Sequence, residues 1–186
     1  MATKNKIPGL NIAFTVIIIT EIMFFAGLIS AYIIASSKAM DWPPIDQPRL
    51  PQYLSISNVI VLLLSGFFMF QFVNKAKEGV KRINYLILAI VFGIVFLVIQ
   101  GSEWIKLVNF GIQTSDGLYA SYFYSIIAIH GFHVLIGLIL IIMLYLKLSK
   151  INDDIKTKLP LITSFGMFWY FVCLLWPLLY FLLYIY

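Results

Sequence analysis

The sequence predicts an all-α integral membrane protein, built as a bundle of five transmembrane helices. Hydrophobic residues make up 62% of the chain and charged residues only 11%, whereas a water-soluble domain is about half apolar and about a quarter charged. The apolar residues are gathered into blocks long enough to cross a bilayer, which takes roughly 20 helical residues. The strands of a membrane barrel require apolar and polar residues to alternate, and within these blocks they do not.

Five apolar blocks predict the five spans in order. Glu21 interrupts the first block and no small-residue cleavage site is visible, so we expect a retained helix and not a signal peptide. The connecting segments are short, and we expect residues 1–186 to form a single membrane domain. The predicted spans are 10–36, 54–73, 83–103, 118–146 and 161–185.

The basic residues predict the orientation of the bundle. Cytoplasmic loops carry an excess of Lys and Arg, so we expect the N-terminus in the cytoplasm and the C-terminus outside. Because these residues lie in short loops, the net charge of +5 does not indicate nucleic-acid binding. Ten basic residues fall on the predicted cytoplasmic side, namely Lys4, Lys6, Lys75, Lys77, Lys81, Arg82, Lys147, Lys150, Lys156 and Lys158, and three on the other, Lys38, Arg49 and Lys106.

Ionisable side chains at membrane depth are the candidate functional residues, because a charge near the bilayer centre costs at least about 2.5 to 3.5 kcal/mol. Glu21 lies near the middle of span one, and His130 and His133 lie near the middle of span four. Glu103 lies nearer the outer end of span three, within reach of lipid headgroups. We expect these four side chains to form buried hydrogen bonds between spans, with Glu103 and His133 as one candidate pair.

Glu21 has two candidate roles. It can hold helices together or contact lipid, which we favour, or it can take part in proton transfer. The residues that follow it, Ala26, Gly27, Ser30 and Ala31, form a small-residue face. Such a face predicts a seam for the close packing of another helix.

His130 and His133 share one side of span four, in a spacing that metal sites use. A haem between them is excluded, because its two axial ligands must come from opposite faces of the ring. A copper or zinc site needs a third or fourth ligand, and only Glu21, Glu103 and Cys173 lie deep enough. We therefore favour histidines that form hydrogen bonds inside the bundle, and we interpret Cys173 as a small core residue.

Aromatic residues gather near the outer boundary of the predicted bundle. Trp42, Trp104, Tyr119 and Tyr122 all lie there. Trp and Tyr are enriched at membrane interfaces, where their rings meet both lipid and water. We expect these four side chains to anchor the protein in the outer interface.

Five sequence blocks resemble a known family in the same order along the chain. They are Thr-Glu-Ile-Met-Phe-Phe-Ala-Gly-Leu at 20–28, Trp-Pro-Pro at 42–44, Gln-Gly-Ser-Glu-Trp at 100–104, Ser-Asp-Gly-Leu-Tyr at 115–119, and the run 121–137 that contains His-Gly-Phe-His. These blocks are similar to motifs of the subunit III family of haem-copper oxidases, which includes subunits of cytochrome c oxidase and quinol oxidase. The chain resembles the short form of that family, which lacks the two leading helices of longer members.

The resemblance implies an accessory subunit III of a respiratory haem-copper terminal oxidase, of the cytochrome c oxidase type, in a bacterial cytoplasmic membrane. It places haem and copper in the catalytic partner, so we expect no cofactor, no metal and no catalytic centre in this chain. The implied partners are oxidase subunit I, subunit II and membrane lipids, including bound phospholipid, and the implied task is to stabilise the catalytic subunit and support proton uptake. The residues expected to make structural, lipid or proton-related contacts are Glu21, Trp42, Glu103, Asp116, His130, His133 and Tyr170.

The last helix departs from the family pattern. The family usually has Trp-His-Phe-Val-Asp-x-x-Trp, whereas here Tyr170 and Cys173 replace the His and the Asp. Tyr170 is able to keep one hydrogen bond.

Three alternatives stay open. The first is an accessory subunit of a quinol oxidase or a nitric oxide reductase. The second is a small transporter or proton channel, which predicts broken helices or an inverted repeat, and neither is visible in the sequence. The third is an independent membrane enzyme that holds a metal at His130 and His133.

Overall fold

The computed structural model describes residues 9–39, 42, 52–109, 117–150 and 154–185, and every regular element among them is helical. The prediction of an all-α membrane protein with five spans is confirmed, because five helices are long and apolar enough to cross a membrane. A 3-10 turn, Ile155–Lys158, leads into the last of them, and a π-helical turn, Phe181–Ile185, follows it. The helices are α1 Gly9–Lys38, α2 Gln52–Lys77, α3 Ile83–Asn109, α4 Leu118–Ser149 and α5 Leu159–Tyr180.

The helices run further than the predicted spans, most clearly in α2 and α3. α2 continues to Lys77 and α3 to Asn109, whereas the predicted spans end at 73 and 103. The difference arises because hydropathy detects only the stretch that lies in hydrocarbon. A helix continues into the headgroup layer, where basic residues of its last turn, such as Lys75 and Lys106, can be hydrated.

α5 lies at the centre of the bundle and α1 at its edge. α5 packs against α1, α2 and α4, whereas α3 packs against α2 and α4. Over its most apolar stretch the α5 span has 56% of its residues buried inside the protein, against 6% for α1. Most of the surface of α1 is therefore left for lipid or for another protein.

The side chain of Trp169 joins four helices at the middle of the bundle. The residue is fully buried on α5, and its indole lies between Gly93 of α3 and Gly137 of α4, where added Cβ atoms would come within 3.0 and 2.7 Å of the ring. Its Nε1–H donates to Ser65 Oγ of α2 at 3.2 Å, and the Ser65 hydroxyl donates to the Ala89 carbonyl of α3 at 2.6 Å. The two glycines are needed because only they leave room for the indole.

α2 and α5 also approach each other closely at Gly66 and Cys173. A Cβ on Gly66 would lie 3.2 Å from the Cys173 Cβ, and Cys173 is 2% exposed. The interpretation of Cys173 as a small core residue is confirmed.

The predicted packing seam on α1 is not occupied by any described residue. Ala26, Gly27 and Ser30 are exposed, and nothing lies within 4 Å of a Cβ built on Gly27. α1 instead packs through the opposite face, where Phe25 and Tyr32 are buried. The seam was predicted from the small size of these residues. Residue size alone does not determine which side of the helix faces the rest of the bundle.

Candidate functional site

Glu21 and His133 join α1 to α4 about midway along the two helices. Nε2 of His133 lies 2.9 Å from Oε2 of Glu21. The side chains remain partly accessible, with 12% of His133 and 25% of Glu21 exposed. The expectation of a hydrogen bond between spans is confirmed for these two residues, and their bond lies at the open edge between α1 and α4.

The other nitrogen of the same imidazole bonds within α4. Nδ1 of His133 lies 2.7 Å from the carbonyl oxygen of Ile129, one turn earlier in the helix. A carbonyl only accepts, so the Nδ1–H donates. The candidate pair Glu103 with His133 is therefore wrong, because both ring nitrogens of His133 are bonded elsewhere. The ring orientation is fixed from both sides, which aims Nε2 at α1.

His130 lies one turn from His133 but makes contacts of a different kind. It is 1% exposed, and its ring stacks on Trp176 of α5 at a centroid distance of 4.9 Å and an angle of 15°. Phe96 of α3 and Phe25 of α1 meet the ring edge-on at 6.3 and 6.5 Å. Among the residues that the structure describes, neither ring nitrogen has a hydrogen-bond partner. The expectation that His130 forms such a bond is therefore wrong here, because its neighbours at this depth are aromatic.

The two histidines do not belong to a recognisable metal centre in the described part of the chain. No group of three or more His, Cys, Asp and Glu side chains comes together there. Cys173 faces Gly66 of α2. The third ligand that a copper or zinc site at the histidines requires is therefore not found among the described residues.

Glu103 lies in a second polar group, near the far end of α3. It is 2% exposed, so it does not reach the lipid headgroups, as its place in the sequence allowed, and its expected burial between spans is confirmed. One turn earlier, Gln100 accepts a hydrogen bond of 3.0 Å from Nδ2 of Asn58 on α2, with both side chains buried. Glu103 also interacts electrostatically with Tyr180 of α5. The carboxyl therefore faces the interior of the bundle, one turn along α3 from Gln100, which is bonded to α2.

Trp42 is held by α1 and α4. Its Nε1–H donates to the Tyr32 hydroxyl at 3.1 Å. Its ring meets Tyr32 and Tyr119 edge-on at 5.4 and 5.1 Å. These contacts tie the segment after α1 to the start of α4. The predicted anchoring of Trp42 in the interface stays a prediction, and Asp116 lies outside the described residues.

Tyr170 lies away from the other candidate residues, on the side of α5 that faces α2. It meets Phe70 at 6.3 Å, and its hydroxyl has no hydrogen-bond partner among the described residues. A Cβ on Gly166 would lie 3.4 Å from the Tyr170 hydroxyl and 3.1 Å from the side chain of Val73. The hydrogen bond expected for Tyr170 is not formed in this part of the protein, because its surroundings are apolar.

Sequence reasoning missed several polar contacts between helices. The Ser164 hydroxyl donates to Oδ1 of Asn11 at 2.7 Å and joins α5 to α1. The contacts of Ser65 with Trp169 and of Asn58 with Gln100 join α2 to its neighbours. Each involves an uncharged polar residue inside an apolar span. That pattern is the signal that could have identified them.

Comparison with known proteins gives a consistent result. The family described as cytochrome c oxidase subunit III matches residues 2–186. A probable cytochrome c oxidase subunit 3 of Nocardia farcinica is 30% identical over 84% of this chain and 78% of the relative. The protein named in the same way from Mycobacterium leprae is 30% identical over 97% and 89%. Cytochrome c oxidase subunit 3 of Mus musculus is 31% identical over 92% and 67%.

Proposed function

Because this chain belongs to the cytochrome c oxidase subunit III family, we propose that it acts as a structural subunit beside a catalytic partner and carries no redox centre of its own. Membership makes it an accessory subunit III of a haem-copper oxidase and a multi-pass membrane protein. The observation that carries the proposal is the family match over residues 2–186. The partners are the catalytic subunit I, which holds the haem and copper, and subunit II.

The polar contacts of the chain support a structural role. Glu21 bonds to His133 across α1 and α4, and Asn58 bonds to Gln100 across α2 and α3. Bonds of this kind hold membrane helices in one relative position, where hydrophobicity alone does not. A rigid bundle of this type stabilises the catalytic subunit against which it packs.

The lipid and proton roles rest on the outer surface of the bundle. α1 leaves most of its apolar surface uncovered, and this surface binds structural phospholipid. The partly exposed Glu21 and His133 support proton uptake by the complex. From the excess of basic residues in its loops we propose that the N-terminus of this single membrane domain lies in the cytoplasm, and the bacterial relatives support a bacterial cytoplasmic membrane.

The relatives favour an oxidase of the cytochrome c type over the alternatives. They are named as subunits of cytochrome c oxidase, and no described contact favours a quinol oxidase, a nitric oxide reductase or a transporter. By analogy with these relatives, we propose that the electron donor of the complex is a cytochrome c.

Gentle purification of the tagged full chain from membranes tests the proposal. We expect a large subunit with haem absorption bands to copurify, and the preparation to consume oxygen when reduced cytochrome c is supplied. Recovery of the chain alone and without pigment from membranes that contain an active oxidase contradicts the proposal. So does a stoichiometric metal bound to the isolated chain.

A further inference from the structure

Four buried polar side chains lie together at the end of the bundle where α2 begins and where α3 and α5 end. Asn58 of α2 donates through Nδ2 to Oε1 of Gln100 on α3 at 3.0 Å. Glu103 lies one turn further along α3 and interacts electrostatically with Tyr180 of α5. All four are at most 7% exposed. They form a polar group inside an otherwise apolar bundle.

Trp176 lies beside this polar group, one helical turn further into the bundle. It precedes Tyr180 by one turn on α5. Its ring meets that of Phe96 at a centroid distance of 5.4 Å, and Phe96 precedes Gln100 by one turn on α3. The indole is fully buried, so it has no contact with bulk water.

Two atoms at this place have no hydrogen-bond partner among the described residues. One is Oδ1 of Asn58 and the other is Nε1 of Trp176. The amide oxygen only accepts hydrogen bonds, whereas the indole N–H only donates. Their rings and chains are enclosed by protein, and buried polar atoms of this kind are normally satisfied by a partner.

The chemistry of the two atoms selects the ligand. A bound cation could satisfy Asn58 Oδ1, but it cannot accept from the Trp176 N–H. An anion could accept from the N–H, but it cannot donate to the amide oxygen. Water donates and accepts at once, and a buried water makes two to four hydrogen bonds.

We infer that water is bound inside the bundle between α2, α3 and α5, where it donates to Asn58 Oδ1 and accepts from the Trp176 Nε1–H. Gln100, Glu103 and Tyr180 surround the site with further polar atoms. The bound water links α5 to the hydrogen-bonded pair of α2 and α3, and it hydrates the Glu103 carboxyl. The inference stands on the contacts of the chain itself and does not depend on the proposed function.

The two rings that touch Trp176 define the competing explanation. His130 stacks on the face of the indole at 4.9 Å and 15°. An indole N–H lies in the plane of its ring, so it points past an imidazole stacked on the face. Phe96 meets the indole at 81°, and a weak N–H contact with the face of Phe96 is the alternative to water.

NMR of the 15N-tryptophan-labelled full chain in lipid bilayers tests the site. The chain has four tryptophans, and the variants Trp169→Phe and Trp176→Phe assign the two signals that matter. Trp169 is the internal reference, because it is equally buried on the same helix but its Nε1–H donates to Ser65 Oγ. Magnetisation transferred from water reaches an indole N–H quickly only when a water molecule is bonded to it.

Two substitutions separate the site from the rest of the bundle. Asn58→Leu removes the acceptor of the proposed water and leaves Trp176 in place. Ser164→Ala is the matched control, since it removes a buried polar contact with Asn11 near the opposite end of α5. An unchanged Trp169 signal shows in each variant that the helices are still packed.

The outcomes are distinct. We expect the Trp176 signal of the unchanged chain to build up several-fold faster than that of Trp169, and this difference to disappear in Asn58→Leu but to persist in Ser164→Ala. A Trp176 signal that builds up no faster than that of Trp169 overturns the inference, as does an N–H proton shifted upfield by the ring of Phe96. Fast transfer that survives in a folded Asn58→Leu variant also overturns it. The comparison of Trp176 with Trp169 needs no variant, so it decides the matter even if Asn58→Leu does not fold.

Discussion

The indole of Trp169 touches the backbone of Gly137, so closely that a Cβ at position 137 would lie 2.7 Å from ring atom Cε3. Other atoms of the same ring lie close to Gly93, where a Cβ would be 3.0 Å from Cζ2 and 3.1 Å from Cη2. The close packing of α3, α4 and α5 at this point therefore requires the Trp169 indole and the lack of a side chain at Gly93 and Gly137. Packing of this kind tolerates little change in volume.

Gly137→Ala should destabilise the bundle by roughly 1 to 3 kcal/mol, because the added methyl forces the helices apart. Thermal unfolding of the purified full chain in detergent measures the loss. Gly27→Ala is the matched control, since no neighbouring atom of the described residues lies within 4 Å of its Cβ, and it should leave the midpoint unchanged or slightly raised. Equal effects at the two positions would contradict the close contact with Trp169.

Ser65→Ala should cost roughly 1 to 2 kcal/mol, because it leaves the buried Nε1–H of Trp169 without an acceptor. The same change in a Trp169→Phe background should cost less, since the donor is already gone. Unfolding midpoints of the two single variants and the double variant measure this difference. Strictly additive losses would mean that the bond contributes nothing.

Glu21→Ala and His133→Ala should be non-additive by about 0.6 kcal/mol and by no more than about 1.7 kcal/mol, the average and the maximum found for polar contacts between membrane helices. Their side chains bond at 2.9 Å, so the second substitution removes an interaction that the first has already broken. The stability of the purified chain at neutral pH is the measurement. Glu103→Ala combined with His133→Ala serves as the control and should be additive, because His133 has no bond left for Glu103.

His130→Phe should leave stability unchanged or raise it by up to about 2 kcal/mol. The change removes two buried nitrogens that have no partner among the described residues and keeps an aromatic ring against Trp176. His133→Phe is the comparison and should lower stability by roughly 1 to 3 kcal/mol, since it leaves the Glu21 carboxyl without its bond. A large loss in His130→Phe would indicate that the imidazole makes a contact outside the described residues.

The sequence was sufficient for the number of helices and for the positions of the important polar groups along them. Both depend on quantities that are read along the chain, namely apolar length and the position of Glu21, His130 and His133 within it. It was also sufficient to expect that Glu21 bonds to another span, because an isolated carboxyl at that depth is costly.

The partner of each polar group could not be predicted in the same way. Which residue faces Glu21 depends on the rotation of α4 about its own axis. Because α4 has hydrophobic residues on all of its faces, its sequence has no amphipathic pattern from which that rotation could be predicted. His130 and His133 looked equivalent in sequence, yet one meets Glu21 and the other meets Trp176. The contact of Trp169 with Gly93 and Gly137 likewise depends on three helices at once.

The central position of α5 has a consequence for biogenesis. A chain is synthesised from its N-terminus, so α1 to α4 enter the membrane before α5 has been made. Three of these four helices pack against α5 in the finished bundle. Until α5 arrives, α1 has its contacts with α4, among them the bond of Glu21 to His133, and is otherwise stable in lipid through its own hydrophobicity. The nascent bundle can therefore pack α2 on α3 and α3 on α4 first, and the contacts at its centre form only when the last helix leaves the insertion machinery.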